Sequence, residues 1–521
     1  MRPPFLNLVP NSLVCLALLA TPASKANNVQ ITNAALVNNN GSGGYCFIQF
    51  DISWQNSWRG GGVTNWDAAW VFAKFRTSNG VWRPLRVDFT GHVVAPGSQL
   101  DAGLLTPSSA YDAVTNPVMG EFIRRSADGT GAFTATGTQL RWTYLNDGLS
   151  FNDIAEVRVF AIEMVYVMPG AFAAGTGGVE ANGFTLTTIS TATANSAPTG
   201  SGTLGGQAGG FPTGGTAPTT ANWPNGFNGF YCMKYEVTQQ GYVDFLNTLT
   251  FAQLTQRTAT QGSLAGTGAL TSTNANRNGI DIQVPGVDGI TASLFACNFN
   301  GNTTYGEAGD GKDIACNWMS WADLSAYLDW SGLRPMTELE FEKACRGTLQ
   351  PVFFEFPWGV YGAASAAYTL SNSGTTNEGI ATNYSTTVGN ASWNSTTNAL
   401  DGPTRVGIYA ANAANPGRVT AGASYYGIME MGGNVWERAV SIGNAAGRSF
   451  SGAHGNGALA TNGDPDVSTW PSPVTADGIG FRGGTWAADY PFMAVSMRAN
   501  ATTGLPERNY DYGGRGVRTA P

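Results

Sequence analysis

The chain has 521 residues, of which only 12% are charged and 69 are glycine, with a formal net charge of −8. That length holds two or three hydrophobic cores, and the composition suits a strand- and loop-rich exported protein better than a helical cytosolic one. The acidic balance excludes nucleic acid as a partner, because phosphate binding needs clustered Lys and Arg.

The first 26 residues have the pattern of an export signal. Arg2 precedes the apolar run Leu13–Ala20, and Ser24-Lys-Ala26 places small residues where a signal peptidase reads. The run is too short to span a bilayer, and no other segment is long and apolar enough to do so. A secreted or cell-surface location is therefore expected. Five cysteines follow: Cys46, Cys232, Cys297, Cys316 and Cys345. An exported chain permits disulfides. Cys297 and Cys316 flank one polar loop and form the expected bridge, while Cys46 lies on an apolar strand and is expected as a buried small hydrophobe.

Residues 27–169 read as an all-β sandwich. In Tyr45–Trp54 strict alternation places Cys46, Ile48, Phe50, Ile52 and Trp54 on one face, all apolar. Further strands are predicted at Ala68–Phe75, Thr138–Leu145 and Ile154–Val167, separated by Gly, Asn and Asp turns. Residues 170–226 form a Gly/Thr/Ser-rich connector in which Phe184–Ile189 adds one last strand.

Residues 227–521 read as an α+β domain. A strand within Gly229–Thr238 hands over to a helix from Gln239 to Leu249, with Thr238 as N-cap. Ser320 with Asp323, and Thr337 with Glu340, open two further helices through capping boxes.

Seven segments recur in a recognisable order: Met233-Lys-Tyr-Glu-Val-Thr238, Trp318-Met-Ser-Trp321, Leu333-Arg-Pro-Met-Thr-Glu-Leu-Glu-Phe-Glu342, Pro357-Trp-Gly359, Tyr426-Gly-Ile-Met-Glu-Met-Gly-Gly-Asn-Val-Trp-Glu437, Phe481-Arg-Gly-Gly-Thr-Trp486 and Gly514-Arg-Gly-Val-Arg518. Together they resemble the formylglycine-generating enzyme, or sulfatase-modifying factor, family, over roughly residues 227–521. The resemblance implies a variant of the C-type lectin fold. It also implies a pair of cysteines just after the Arg-Gly-Gly-Thr-Trp segment that binds copper and activates oxygen, since soft sulfur selects that metal. Here the two positions are Ala488 and Met493, and no cysteine follows Cys345. Copper and formylglycine generation are not expected. A family branch that holds iron with three histidines has no counterpart, because the chain has only His92 and His454. His454 is expected as an exposed loop residue.

Calcium is the cofactor that the resemblance does imply. One set would use the Glu437 carboxylate with the carbonyls of Gly433 and Val435, the other reading of Glu437 being a buried partner for an arginine such as Arg482. A second set would use the Asn383 side chain with the carbonyls of Tyr384 and Tyr409, although an expected aspartate is Gly407 here. Independently, Asn298, Asn300 and Asn302 stand at the first, third and fifth places of a calcium loop, with Glu307 and Asp310 downstream. A plain Asn/Gly turn is the competing reading of that loop. The loop tryptophans Trp58, Trp66, Trp393 and Trp470 are candidates for stacking on sugar rings.

The expected function is a non-catalytic secreted or cell-surface protein that binds a carbohydrate or protein ligand, or self-associates into a surface layer, filament or adhesin. Two alternatives stand beside it. One is an enzyme of divergent chemistry on the same scaffold. The other is a retroelement-diversified display protein, with Asn500 to Arg515 as its variable surface.

Overall fold

The computed structural model describes residues 29–521 except 61–64, 108–109, 193–217, 219, 221 and 260–263. The expected signal peptide and residues 193–217, 219 and 221 of the connector lie outside the described residues. Eight strands come first: β1 (Gln30–Asn40), β2 (Tyr45–Arg59), β3 (Asp67–Thr77), β4 (Trp82–Leu85), β5 (Ser98–Leu104), β6 (Val118–Arg125), β7 (Gly129–Trp142) and β8 (Ile154–Val167). Two short strands, β9 (Phe172–Ala174) and β10 (Thr187–Ile189), then pair with each other, and β11 (Phe230–Met233) follows.

Strands β1, β2 and β7 form one antiparallel sheet. The alternation read from β2 holds: Cys46, Ile48, Phe50, Ile52 and Trp54 are buried, and the intervening residues are half-buried. The buried face meets Ala69, Val71, Ala73 and Phe75 of β3 in one core. Strand β3 belongs to a larger sheet, in which Val517–Thr519, β11, β8, β3, β6 and β5 are neighbours in that order and β4 adds to β3. Its other face, carrying Ala68, Trp70 and Phe72, packs on the C-terminal helices. Strand β3 is therefore buried from Asp67 to Phe75, as a strand covered on both sides must be.

The larger sheet crosses the boundary expected between the two halves of the chain. Phe230 of β11 is in register with Val167 of β8 on one side and with Thr519 on the other. Helices α1 (Gln239–Leu246), α2 (Phe251–Arg257) and α3 (Trp321–Trp330) cover the face that carries Trp70 and Phe72, while α4 (Glu338–Arg346) packs Phe341, Ala344 and Cys345 on Val165, Val167, Phe230 and Cys232 of the opposite face. Trp330 at the end of α3 meets Phe72, Phe160 and Phe245 with ring centroids 5.0, 4.9 and 5.5 Å away. Each such aromatic pair contributes roughly 0.5–1.5 kcal/mol beyond the area it buries. Lys74 of β3 donates to the carbonyls of Trp330 and Gly457, both at 2.6 Å. A lysine facing the carbonyl end of a helix satisfies acceptors that the helix cannot.

All three expected caps are present. Thr238 accepts from the Gly241 amide, and the Ser320/Asp323 and Thr337/Glu340 capping boxes both close. Helix α1 ends at Leu246 rather than Leu249. The Asn247 side chain turns away to exchange two hydrogen bonds with the backbone of Phe295, and Thr250 caps α2.

The expected Cys297–Cys316 bridge is not formed. All five described cysteines are buried free thiols. Cys316 directs its sulfur to the Asn317 carbonyl at 3.7 Å, and Cys297 approaches Gln240 Oε1 at 3.9 Å. Both belong to the core beneath α1 and α3 rather than to the polar loop they flank.

Candidate functional site

The window that would carry the family's cysteines follows the strand Ile479–Arg482, which pairs with Glu437–Val440. Gly483 and Gly484 then turn the chain at φ +87° and +77°. A Cβ on Gly483 would stand 2.8 Å from the Met431 carbonyl oxygen, so only glycine suits that turn. Thr485 Oγ1 accepts from the amides of Ala487 and Ala488 and donates to Asp511. Ala488 packs beside Trp436, Phe481 and Tyr512. Met493 is fully buried among Phe356, Trp358 and Trp393. Both positions are apolar packing sites, and neither offers a thiolate.

Outside this packed window lies a ledge of aromatic rings. Tyr361 and Tyr490 share a hydrogen bond at 3.0 Å between their hydroxyls, and Tyr490 leans on Trp393 with centroids 5.7 Å apart. Tyr361 and Phe353 are 57% and 52% exposed, and Val352 and Val360 flank them. Asn394 and Asp489, hydrogen-bonded at 3.0 Å, give the ledge a polar rim. Its rings are tyrosine and phenylalanine, whereas the sequence candidates for sugar stacking are tryptophans. Trp393 and Trp470 are buried, Trp58 lies under Lys234, and Trp66 stacks on Tyr166. None of the four presents an open face of the kind expected.

Glu437 is buried, and its Oε1 accepts from Arg515 Nε. Its partner is thus Arg515 of the last motif. Arg482, although opposite Glu437 in the ladder, pairs with Glu338 and Glu342. Arg515 also donates to the Glu430 carbonyl at 3.0 Å. Glu236 accepts from the Asn434 side chain and from the Val435 amide at 3.0 Å, and Gly433 donates to the Gly483 carbonyl. Burial pushes the carboxyls of Glu236, Glu430 and Glu437 upward, Glu430 to about 7, while Arg515 draws each back down. In the Gly433, Val435 and Glu437 set, Arg515 holds Glu437 Oε1, while Glu437 Oε2 and Glu430 Oε2 are buried without a donor.

The second set gathers around Tyr384 and Tyr409. The Tyr384 hydroxyl, not its carbonyl, comes to the Tyr409 carbonyl, at 3.1 Å, and the Asn383 amide donates to Ala367. Gly407 brings no carboxylate, and its amide instead donates to Glu430. In the third set the side chains of Asn300 and Asn302 both donate to Glu307. Asn298 and Asp310 sit deeper and are buried. His454 is also buried rather than exposed. Its Nε2 accepts from the Thr519 amide at 3.1 Å, and burial holds the ring neutral. Of the stretch expected to vary, Ala501 and Asp511 to Arg515 are buried, and residues 502–510 are exposed or half-buried.

Two solved structures show a distant likeness. Treponema denticola variable protein 1 is 14% identical, with 69% of this chain and 96% of that chain covered and a TM-score of 0.30. The Major Tropism Determinant U1 variant is 14% identical, with 71% and 76% covered and a TM-score of 0.23. No curated protein matches the sequence. A family model, the sulfatase-modifying factor enzyme 1-like domain, matches residues 161–520. The match begins inside β8, well before the start near residue 227 read from the motifs, in keeping with the ladder that joins β8 to β11. The chain belongs to the sulfatase-modifying factor enzyme 1-like family.

Proposed function

We propose that this member of the family is a non-catalytic binding protein of the cell exterior, with the Phe353–Tyr361–Tyr490 ledge as its contact surface. One observation carries the reading: the positions of the family's cysteines are filled by Ala488 and by a fully buried Met493, while rings on the same face are exposed. Exposed rings bordered by an amide and a carboxylate suit a pyranose ring, which stacks its apolar face and hydrogen-bonds its hydroxyls. Self-association through the same ledge into a surface assembly is the other use of such a patch.

A glycan array probed with the full chain and with Tyr361→Ala/Tyr490→Ala tests the reading. Binding to a defined saccharide class that the double variant loses supports it. Electron microscopy of the same samples reports assembly, and filaments that the variant abolishes assign the ledge to self-contact. Conversion of a cysteine peptide to formylglycine by the purified protein would overturn the non-catalytic reading.

A further inference from the structure

We propose that the hairpin and loop spanning residues 280–310 hold one calcium ion between Asp281, Asn298 and Asp310. The proposal is independent of the aromatic ledge. Strand Ile280–Val284 pairs with Leu294–Cys297, with Asp281 opposite Ala296. Ile280 and Ile282 enter the core, and Asp281 between them is 1% exposed. Asn298 leaves the second strand with its amide bonded to the Gly279 carbonyl. Its side-chain nitrogen donates to Asp281 Oδ2 at 2.8 Å and to the Asn302 carbonyl at 3.1 Å. Asp310 returns the loop to the same place. Its carbonyl accepts from Phe299, and its Oδ2 accepts from the Glu307 amide at 2.7 Å.

These bonds fix one end of each side chain and leave the other unanswered. Asp281 Oδ1, Asn298 Oδ1 and Asp310 Oδ1 are all buried acceptors without a donor. The residues are 1%, 3% and 2% exposed, so bulk water does not satisfy them. Three buried acceptors without a donor, on Asp281 and Asn298, which bond each other, and on Asp310 at the end of the same loop, make a demand that a cation would meet. The set offers two carboxylate oxygens and one amide oxygen. Burial raises the Asp281 carboxyl and the Asn298 amide draws it back, with no arginine or lysine contributing.

The donors select the ion. All are hard oxygens, and two carboxylates balance a divalent charge. Calcium accepts irregular sets of six to eight oxygens, completed here by a backbone carbonyl and by water entering through the exposed residues 301–304, whereas magnesium demands a stricter octahedron. Asn300 and Asn302, the other expected ligands, are held by Glu307 and act only by shaping the loop.

Calcium titration of the full chain by calorimetry, with chelator-stripped protein, tests the proposal. One ion should bind, and Asp281→Asn and Asp310→Asn should each weaken binding at least tenfold. Absence of calcium uptake, or a titration unchanged in both variants, overturns it. Should a variant fail to fold, terbium read on the wild-type chain serves instead. Tyr305 is half-buried, and both Asp281 and Asp310 act on its phenol. Terbium emission excited through tyrosine should appear, fall on adding excess calcium and be lost in Tyr305→Phe. A wild-type protein that gives no such emission overturns the proposal equally.

Discussion

Arg515, in the last motif, and Glu437, at the end of the Gly-Asn-Val-Trp-Glu block, form an ion pair with both side chains at most 1% exposed. The guanidinium also donates to the carbonyls of Met233 and Lys234, in the first motif. One side chain thus ties together segments more than 280 residues apart. Removing one partner of a buried pair leaves an uncompensated charge, at a cost of about 3–5 kcal/mol. Arg515→Gln is predicted to destabilise by at least this much, because three buried glutamates would lose their shared cation. Glu437→Gln should cost less, since Glu236 and Glu430 still face Arg515. Urea midpoints of the two variants check the order.

The same cluster makes stability depend on pH. Burial raises Glu430 from the ordinary 4.5 to about 7, and Asp244 and Asp511 rise from 3.8 to about 6 for the same reason. A raised carboxyl binds a proton in the folded state that the unfolded state has already released. Its contribution is therefore complete below the unfolded value and is lost as pH rises through the folded one. Glu430 should contribute on the order of 2–3 kcal/mol more at pH 5 than at pH 8, opposed by His454, which burial holds neutral and whose contribution is lost as pH falls. Glu430→Gln should flatten that part of the profile, and denaturant titrations at the two pH values measure it.

Much of the fold was legible because the signals were local. The β2 alternation, the Thr238 cap and the two capping boxes each depend on residues within a few positions of one another. What the sequence concealed is long-range. Nothing near Phe230 announces that it pairs with Val167, and nothing near Glu437 announces Arg515. The same limit hid the partner of Asn298. Asp281, in a strand between two isoleucines, carries no local sign that the hairpin places it against the Asn298 amide. The ledge was concealed differently, because Tyr361 and Tyr490 meet only when the 351–361 turn folds onto the 487–493 window.

The shared sheet predicts that the two halves do not fold separately. A fragment of residues 227–521 would lose the β8 edge against which β11 pairs. It would also uncover Trp330, Tyr327 and Phe245, which now face the β3 layer. Each large apolar side chain returned to water costs about 1.5–3 kcal/mol. The full chain should unfold in one calorimetric transition spanning both halves, and the fragment should be insoluble or lack near-UV dichroism. Two well-separated transitions in the full chain would contradict the shared core.

The five described cysteines make a further test of the interior. Thiolates, not thiols, react with alkylating agents, and burial pushes Cys46 up to about 11 and Cys232 up to about 12, with Cys297, Cys316 and Cys345 also well above the ordinary 9.0. At pH 8 the native protein should therefore resist iodoacetamide at all five positions. In denaturant without reductant all five should label, because none is bridged. Peptide mapping after each treatment reads the positions separately. Cys297 and Cys316 give the decisive pair. They share a core beneath α1 and α3, and their sulfurs turn to Asn317 and Gln240 rather than to each other. Protein in which these two alone stay unlabelled in denaturant until reductant is added would carry the bridge, and this part of the core would then pack differently.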